Sequence, residues 1–411
     1  MLNLKIVIKY YLFLFLLVDS ISGFVRVYLG ISNPIFNIGY WVRGPILILF
    51  IFYYIYQIRQ KKLFLDEILT LVLFIYFILN MFLNYIEFPS SRMISENILY
   101  IFRFQFLLFL FVFIRNRMHI DESLTRKIIY INFIVFTLNL FFGYVFGLGL
   151  EAYRFSGTTK GMFQGGNPVS ILNLIFFTYF VLDNKFRKQV IPIAITLFNG
   201  FAIASKSIFG FIIPIFFALK RKALSVNKLV FYTLFIFLLM ISFTTIIDKT
   251  VESYESRFGI NIQKSINAAE KVGGLYESNI MNKIASVNFR RYASLNEQMR
   301  TSFSDIKTLF IGESLVGQNI FWEERGEFTF RHASMDFFDH FFKFGLLGLT
   351  LFIWILFLDY KKLLQQLFKK DGIIIGLFFL YAFFGGHVID SVTSGSLFYF
   401  ILAKISQSGD V

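Results

Sequence analysis

Three polar groups interrupt an otherwise apolar chain, and each carries side chains that could do chemistry. The first is Glu151-Ala-Tyr-Arg154-Phe-Ser-Gly157-Thr-Thr-Lys160-Gly161-Met-Phe-Gln-Gly165-Gly166-Asn167-Pro168. Arginine grips a phosphate or carboxylate with a two-pronged fork. The glycines let backbone approach a ligand closely. Asn167-Pro168 opens a helix, whose N-terminus attracts anions. A solvated loop would carry the same residues. The second group, Ser205-Lys206-Ser207, breaks two apolar runs with a tight turn. Lys206 either presents a point charge to a ligand or snorkels to water. The third runs from Arg331-His332 through Asp336, Asp339, His340 and Lys343 to Gly345 and Gly348. As a helix it places His332, Asp336, Asp339, His340 and Lys343 on one face. Such a stripe looks into a polar cavity if the helix is embedded, or into water if the helix lies on a membrane surface.

The elements that position these groups are helices in a bilayer. Of 411 residues, 56% are hydrophobic and 16% charged, against about 25% charged in soluble domains. Apolar runs centre on residues 6–20, 44–56, 67–86, 98–114, 128–146, 170–182, 190–204, 207–219, 229–247, 337–358, 373–384 and 395–405. This predicts an all-α integral membrane protein with about 12 transmembrane helices. The first run has no small-residue cleavage site after it and is expected to be a retained helix. Basic clusters recur at every second connector: Arg59 to Lys62, Arg115 to Lys127, Lys185 to Lys188, Lys220 to Lys228 and Lys361 to Lys370. The positive-inside rule then puts both termini in the cytoplasm. All three polar groups fall on the outer side. The organisation expected is helices one to nine over 1–247, a large, partly helical extracytoplasmic loop over 248–336, and three further helices over 337–411, as one integrated domain.

The net charge of +14 fits these cytoplasmic clusters, and no nucleic acid is expected as a partner. Without cysteine, disulfides and thiolate chemistry are excluded. The four histidines, His119, His332, His340 and His387, are scattered, so neither a metal nor a cofactor is expected. No phosphate-binding loop of nucleotide enzymes is present. Arg43 sits at the outer edge of the second run. Arg103 lies inside the fourth, where it either pairs with a buried carboxylate or lines the same cavity.

In this order the three groups resemble the polysaccharide polymerase and ligase superfamily, and most of all its Wzy-type O-antigen or capsule repeat-unit polymerases. The resemblance rests on Arg154 to Pro168, Ser205-Lys206, the stretch Leu309-Phe-Ile-Gly312-Glu-Ser314, and Asp336, Asp339, Gly345 and Gly348. It covers the chain from about residue 150 onward. It implies a GT-C-like fold in the bacterial inner membrane, with the large loop on the outside. The reaction implied joins oligosaccharide repeat units carried on undecaprenyl diphosphate. Membrane lipid, a chain-length regulator and a flippase are the implied partners. Asp336 would take the acceptor's proton, with His332 and Asp339 as alternates. Arg154, Gly157, Gly165, Asn167, Lys206, Arg290, Arg291 and Arg331 would hold the diphosphate. The ligase-type His-Asn pair is absent, since Ala333 follows His332. The competing class, a lipid-linked oligosaccharide flippase or transporter, would distribute charge through the spans.

Overall fold

The computed structural model describes residues 4–30, 37–87, 91–150, 159–186, 189–203, 206–220, 305–314 and 335–408, with a few isolated positions between them. Among the described residues the chain is helical throughout, with no strand. The helices are α1 Leu4–Tyr28, α2 Ile38–Arg59, α3 Leu65–Glu87, α4 Ser91–Arg117, α5 Glu122–Val145, α6 Gly166–Leu182 and α7 Val190–Ile203. A 3-10 turn, Lys206–Phe211, leads into α8 Ile212–Lys220. After them come α9 Ile306–Ile311, α10 Asp336–Phe357, α11 Tyr360–Gln366, α12 Lys370–Phe384 and α13 Val392–Gln407. Five of the described helices, α2, α3, α5, α10 and the Ile94–Arg117 part of α4, are long and apolar enough to cross a membrane. The expected run at 229–247 lies outside the described residues, as does nearly all of the loop expected over 248–336.

Helix α4 is the axle of the bundle. Every residue from Phe104 to Ile114 is buried, and α13 packs along it. Helix α6 is buried on all sides from Pro168 to Leu182. By contrast α2 and α3 turn Ile48, Phe52, Ile75, Leu79 and Phe82 outward. Apolar side chains outside and polar groups within is the distribution that a lipid solvent selects.

At one end of the bundle, where the Lys- and Arg-rich connectors gather, charges stitch the helices together. Arg117 pairs with Glu67 at 2.8 Å and Arg115 with Asp359 at 2.7 Å. Lys370 reaches Glu122 and, at 2.7 Å, Asp183, while Lys404 pairs with Asp371 at 2.7 Å. Asp183 caps the C-terminal end of α6. Burial pushes its carboxyl up, but the Lys370 ammonium outweighs that and brings it down to about 2.

Toward the opposite end α10 is broken. Gly345 has φ 62°, inside a segment that is otherwise helical. Left-handed backbone is disfavoured for any residue with a Cβ. The break frees carbonyls, and a side chain and a backbone N–H from elsewhere take them. Tyr76 Oη donates to the Phe344 carbonyl at 2.6 Å, and the Glu313 N–H donates to the Phe342 carbonyl at 3.0 Å. The kink exists so that α9 can cross it, glycine on glycine. A Cβ on Gly312 would stand 2.5 Å from the Gly345 nitrogen and 2.6 Å from the Lys343 carbonyl. Asn80 pins the crossing by donating to the Ile311 carbonyl at 2.6 Å. Beside it, burial, with Asp305 and Glu87 adding to it, pushes the Glu313 carboxyl up to about 7. Gly345→Ala combines a left-handed penalty with overlap against Phe310. It should destabilise the protein by about 2–4 kcal/mol, read as a lowered melting midpoint in detergent. An unchanged midpoint would mean that the crossing adapts.

Candidate active site

A cavity of about 420 Å³ opens at the end of the bundle away from the basic connectors. Its walls come from α1 (Asp19), α2 (Arg43), α4 (Arg103), the turn before α6 (Gln164, Gly165) and the connector between α12 and α13 (His387, Asp390). Each wall has an identifiable local cause.

The turn before α6 is set by Asn139 of α5. Its Oδ1 accepts the Met162 N–H at 2.6 Å, and Gly161, at φ 62°, presses against its side chain. Arg26 donates to Gln164 Oε1 at 3.0 Å. Gly165 therefore arrives as the N-cap of α6, with that helix's first N–H groups beside the cavity. Such an N-terminus favours an anion.

The connector 385–391 is the most constrained element. Asn167 Nδ2 donates to the carbonyls of Gly385 and Gly386, at 2.7 and 3.1 Å. The Asp336 carboxylate accepts three consecutive backbone N–H groups. One comes from His387, and those of Val388 and Ile389 lie at 2.9 and 2.8 Å. Ser394 Oγ closes the loop on the Val388 carbonyl at 2.6 Å. Two residues in succession, Gly386 at φ 61° and His387 at φ 58°, are left-handed. Glycine takes that conformation readily, whereas in histidine it is uncommon.

Charge in and around the cavity is mixed. Arg43 is buried, bonded to Asp19 and, at 3.3 Å, to Tyr11 Oη. Arg103 Nε is buried without a hydrogen-bond partner, and the guanidinium carbon lies 5.5 Å from the Tyr100 ring. Tyr100 Oη reaches His340 Nδ1 at 3.1 Å and Asp390 Oδ2 at 3.5 Å. Lys343 Nζ sits 4.2 Å over the same ring. Burial pushes the Asp390 carboxyl up, but His387 when protonated, together with Arg103 and Lys343, outweighs it and holds Asp390 below the usual carboxylate range.

Asp336, His387 and Asp390 each offer a ligand atom within 4.8 Å of the others. Among the described residues this is the grouping with the spacing for a cation. Asp336 already accepts three backbone N–H groups, and His387, Arg103 and Lys343 act on Asp390.

Of the residues picked out from sequence, Gly165 lines the cavity, and Asn167 and Asp336 hold the loop beside it. Asp339 is buried next to that loop, its Oδ2 4.0 Å from His387 Nδ1. Lys206 opens the 3-10 turn, and its side chain lies outside what the structure describes. Arg154, Gly157, Arg290, Arg291, Arg331 and His332 are likewise outside the described residues. Asp336 is 1% exposed, with three N–H donors on its carboxylate. It is thus poorly placed to receive a substrate proton, and well placed to fix the loop. Sequence reasoning missed His387 and Asp390. The signal was a Gly385-Gly386-His387-Val-Ile-Asp390-Ser391 run between two apolar segments. No protein-family model, curated protein or solved structure matches the chain.

Proposed function

We propose that this chain is a polysaccharide polymerase of the bacterial inner membrane. It would join undecaprenyl-diphosphate-linked oligosaccharide repeat units at the outer face. The observation that carries this reading is one cavity, at the end away from the basic connectors, whose walls bring Arg103 and the α6 N-terminus together with His387 and Asp390. Glycosyl transfer from a lipid diphosphate needs both halves: cations for the leaving group and a proton acceptor for the incoming hydroxyl. By the alternation of basic connectors the cavity faces outward, where lipid-linked repeat units are presented. Arg103 and Gly165 receive the diphosphate in this reading. Arg154, Lys206, Arg290, Arg291 and Arg331 are proposed to complete its binding. The about 12 spans and GT-C-like architecture belong to the same proposal, and a chain-length regulator and a flippase are its expected neighbours.

The test is deletion in the native host, with surface polysaccharide resolved by length. Long polymer should vanish while single capped repeat units persist. Loss of the single units as well would indicate a flippase. Long polymer left on its lipid carrier would indicate a ligase, and an unchanged ladder would sink all three.

A further inference from the structure

The loop between α12 and α13 is held from outside at nearly every backbone position, and it presents one imidazole to the cavity. Side chains from three helices bind it: Asn167 from α6, Asp336 from α10 and Ser394 from α13. Backbone in a sparsely populated region persists only where its surroundings over-determine it, and such residues gather at functional sites. His387 is that residue here. Lys61 and Ser314 share this conformation, but of the three only His387 lines the cavity. The His387 side chain remains 37% exposed, and the residue lines the cavity. Its Nδ1 lies 4.0 Å from Oδ2 of Asp339, which is itself 2% exposed. An imidazole with Nδ1 toward a carboxylate has Nε2 on the far side of the ring. That tautomer makes Nε2 the proton acceptor, the role of His in many general-base pairs. The distance is loose for a hydrogen bond, as catalytic contacts commonly are before substrate arrives.

We infer that His387 is the general base of this site, oriented by Asp339, and that Asp336 and Asn167 are positioning residues that fix its loop. The inference rests on the polymerase reading. In the step, the acceptor hydroxyl oxygen bonds the anomeric carbon of the donor chain. The bond from that carbon to the diphosphate oxygen breaks, and its electron pair leaves on the diphosphate. The hydroxyl proton passes to His387 Nε2 and is later released to water. Arg103 meets the charge that the diphosphate gains.

The test uses membranes containing the full chain and, as probe, the lipid-linked repeat units that accumulate in the deletion strain, extracted and added back. His387→Gly suits the left-handed backbone, so the loop should keep its shape. Polymerisation should fall about 10²–10⁴-fold, and added imidazole should restore part of it. His387→Asn, also at ease at positive φ, should be as inactive as His387→Gly before imidazole is added, with normal protein levels. A wild-type rate in His387→Asn would overturn the inference, and so would a slow His387→Gly that imidazole does not rescue. Should membranes carrying the unaltered chain fail to polymerise the extract, the polymerase reading itself falls.

Discussion

Arg103→Leu should abolish long polymer, and Arg103→Lys should slow polymerisation about 10²-fold or more, the loss typical when one electrostatic stabiliser of a developing negative charge is removed. Arg103 lies at the cavity end of the buried length of α4, its Nε buried, against the Tyr100 ring and acting on Asp390. Replacing it with leucine has two effects. It removes the cation proposed to meet the diphosphate's charge, and it leaves Asp390 with less compensating charge in a low-dielectric setting, where breaking a pair costs about 3–5 kcal/mol. Reduced protein in the membrane is therefore part of the expected leucine phenotype. The lysine variant separates the two effects. It keeps the positive charge, so the protein should accumulate normally. It loses the planar fork that meets two phosphate oxygens at once. If Arg103→Lys polymerises like wild type, Arg103 is only a counter-ion to Asp390. Arg43 offers the contrast: Asp19 and Tyr11 already occupy its guanidinium, which makes it a structural partner between α1 and α2.

Helix placement was legible because the apolar runs stand out between polar and basic connectors, although only five of the described helices are long and apolar enough to cross a membrane. Each apolar run read from sequence falls on a helix wherever the chain is described. The residues that serve the site were legible where polarity clashed with an apolar neighbourhood. Asn167, Asp336 and Asp339 stood out for that reason. Their roles were not legible. A carboxylate at the start of a helix reads equally as base or as clamp. What decides is which backbone N–H groups converge on it, and these come from residues 51 to 53 positions away. His387 was passed over because a lone histidine between two short apolar runs carries no local pattern. Its significance comes from a positive φ and from contacts made by three separate helices. The crossing of Gly312 on Gly345 was similarly half visible: Gly345 could be read as a close-packing position, while its partner Gly312 lay in another segment and was legible only as part of the Leu309–Ser314 stretch.

Asp336→Asn should remove long polymer through geometry and not through lost basicity. The carboxylate receives N–H groups on both oxygens. Asparagine offers one acceptor oxygen and turns an NH₂ group toward donors that need an acceptor. At least one buried N–H then goes unpaired, at a cost of about 1–3 kcal/mol for each. The left-handed pair Gly386-His387 loses the anchor that holds it, and His387 drifts from the cavity. Misplacement of this kind by about 1 Å can cost about 10²-fold in rate. Three measurements distinguish a clamp from a base. In membranes supplied with extracted lipid-linked units, turnover should drop much more than the half-saturating concentration rises, since the diphosphate contacts proposed at Arg103 and Gly165 are untouched. Imidazole should not rescue Asp336→Asn, in contrast to His387→Gly, because the imidazole is still present and merely misplaced. Asn167→Ala, which frees the Gly385 and Gly386 carbonyls at the other end of the loop, should lower turnover in the same way, though less. A base at Asp336 makes the opposite forecast for that last variant. With the loop irrelevant to proton transfer, Asn167→Ala would polymerise at the wild-type rate, and Asp336→Asn would fail alone.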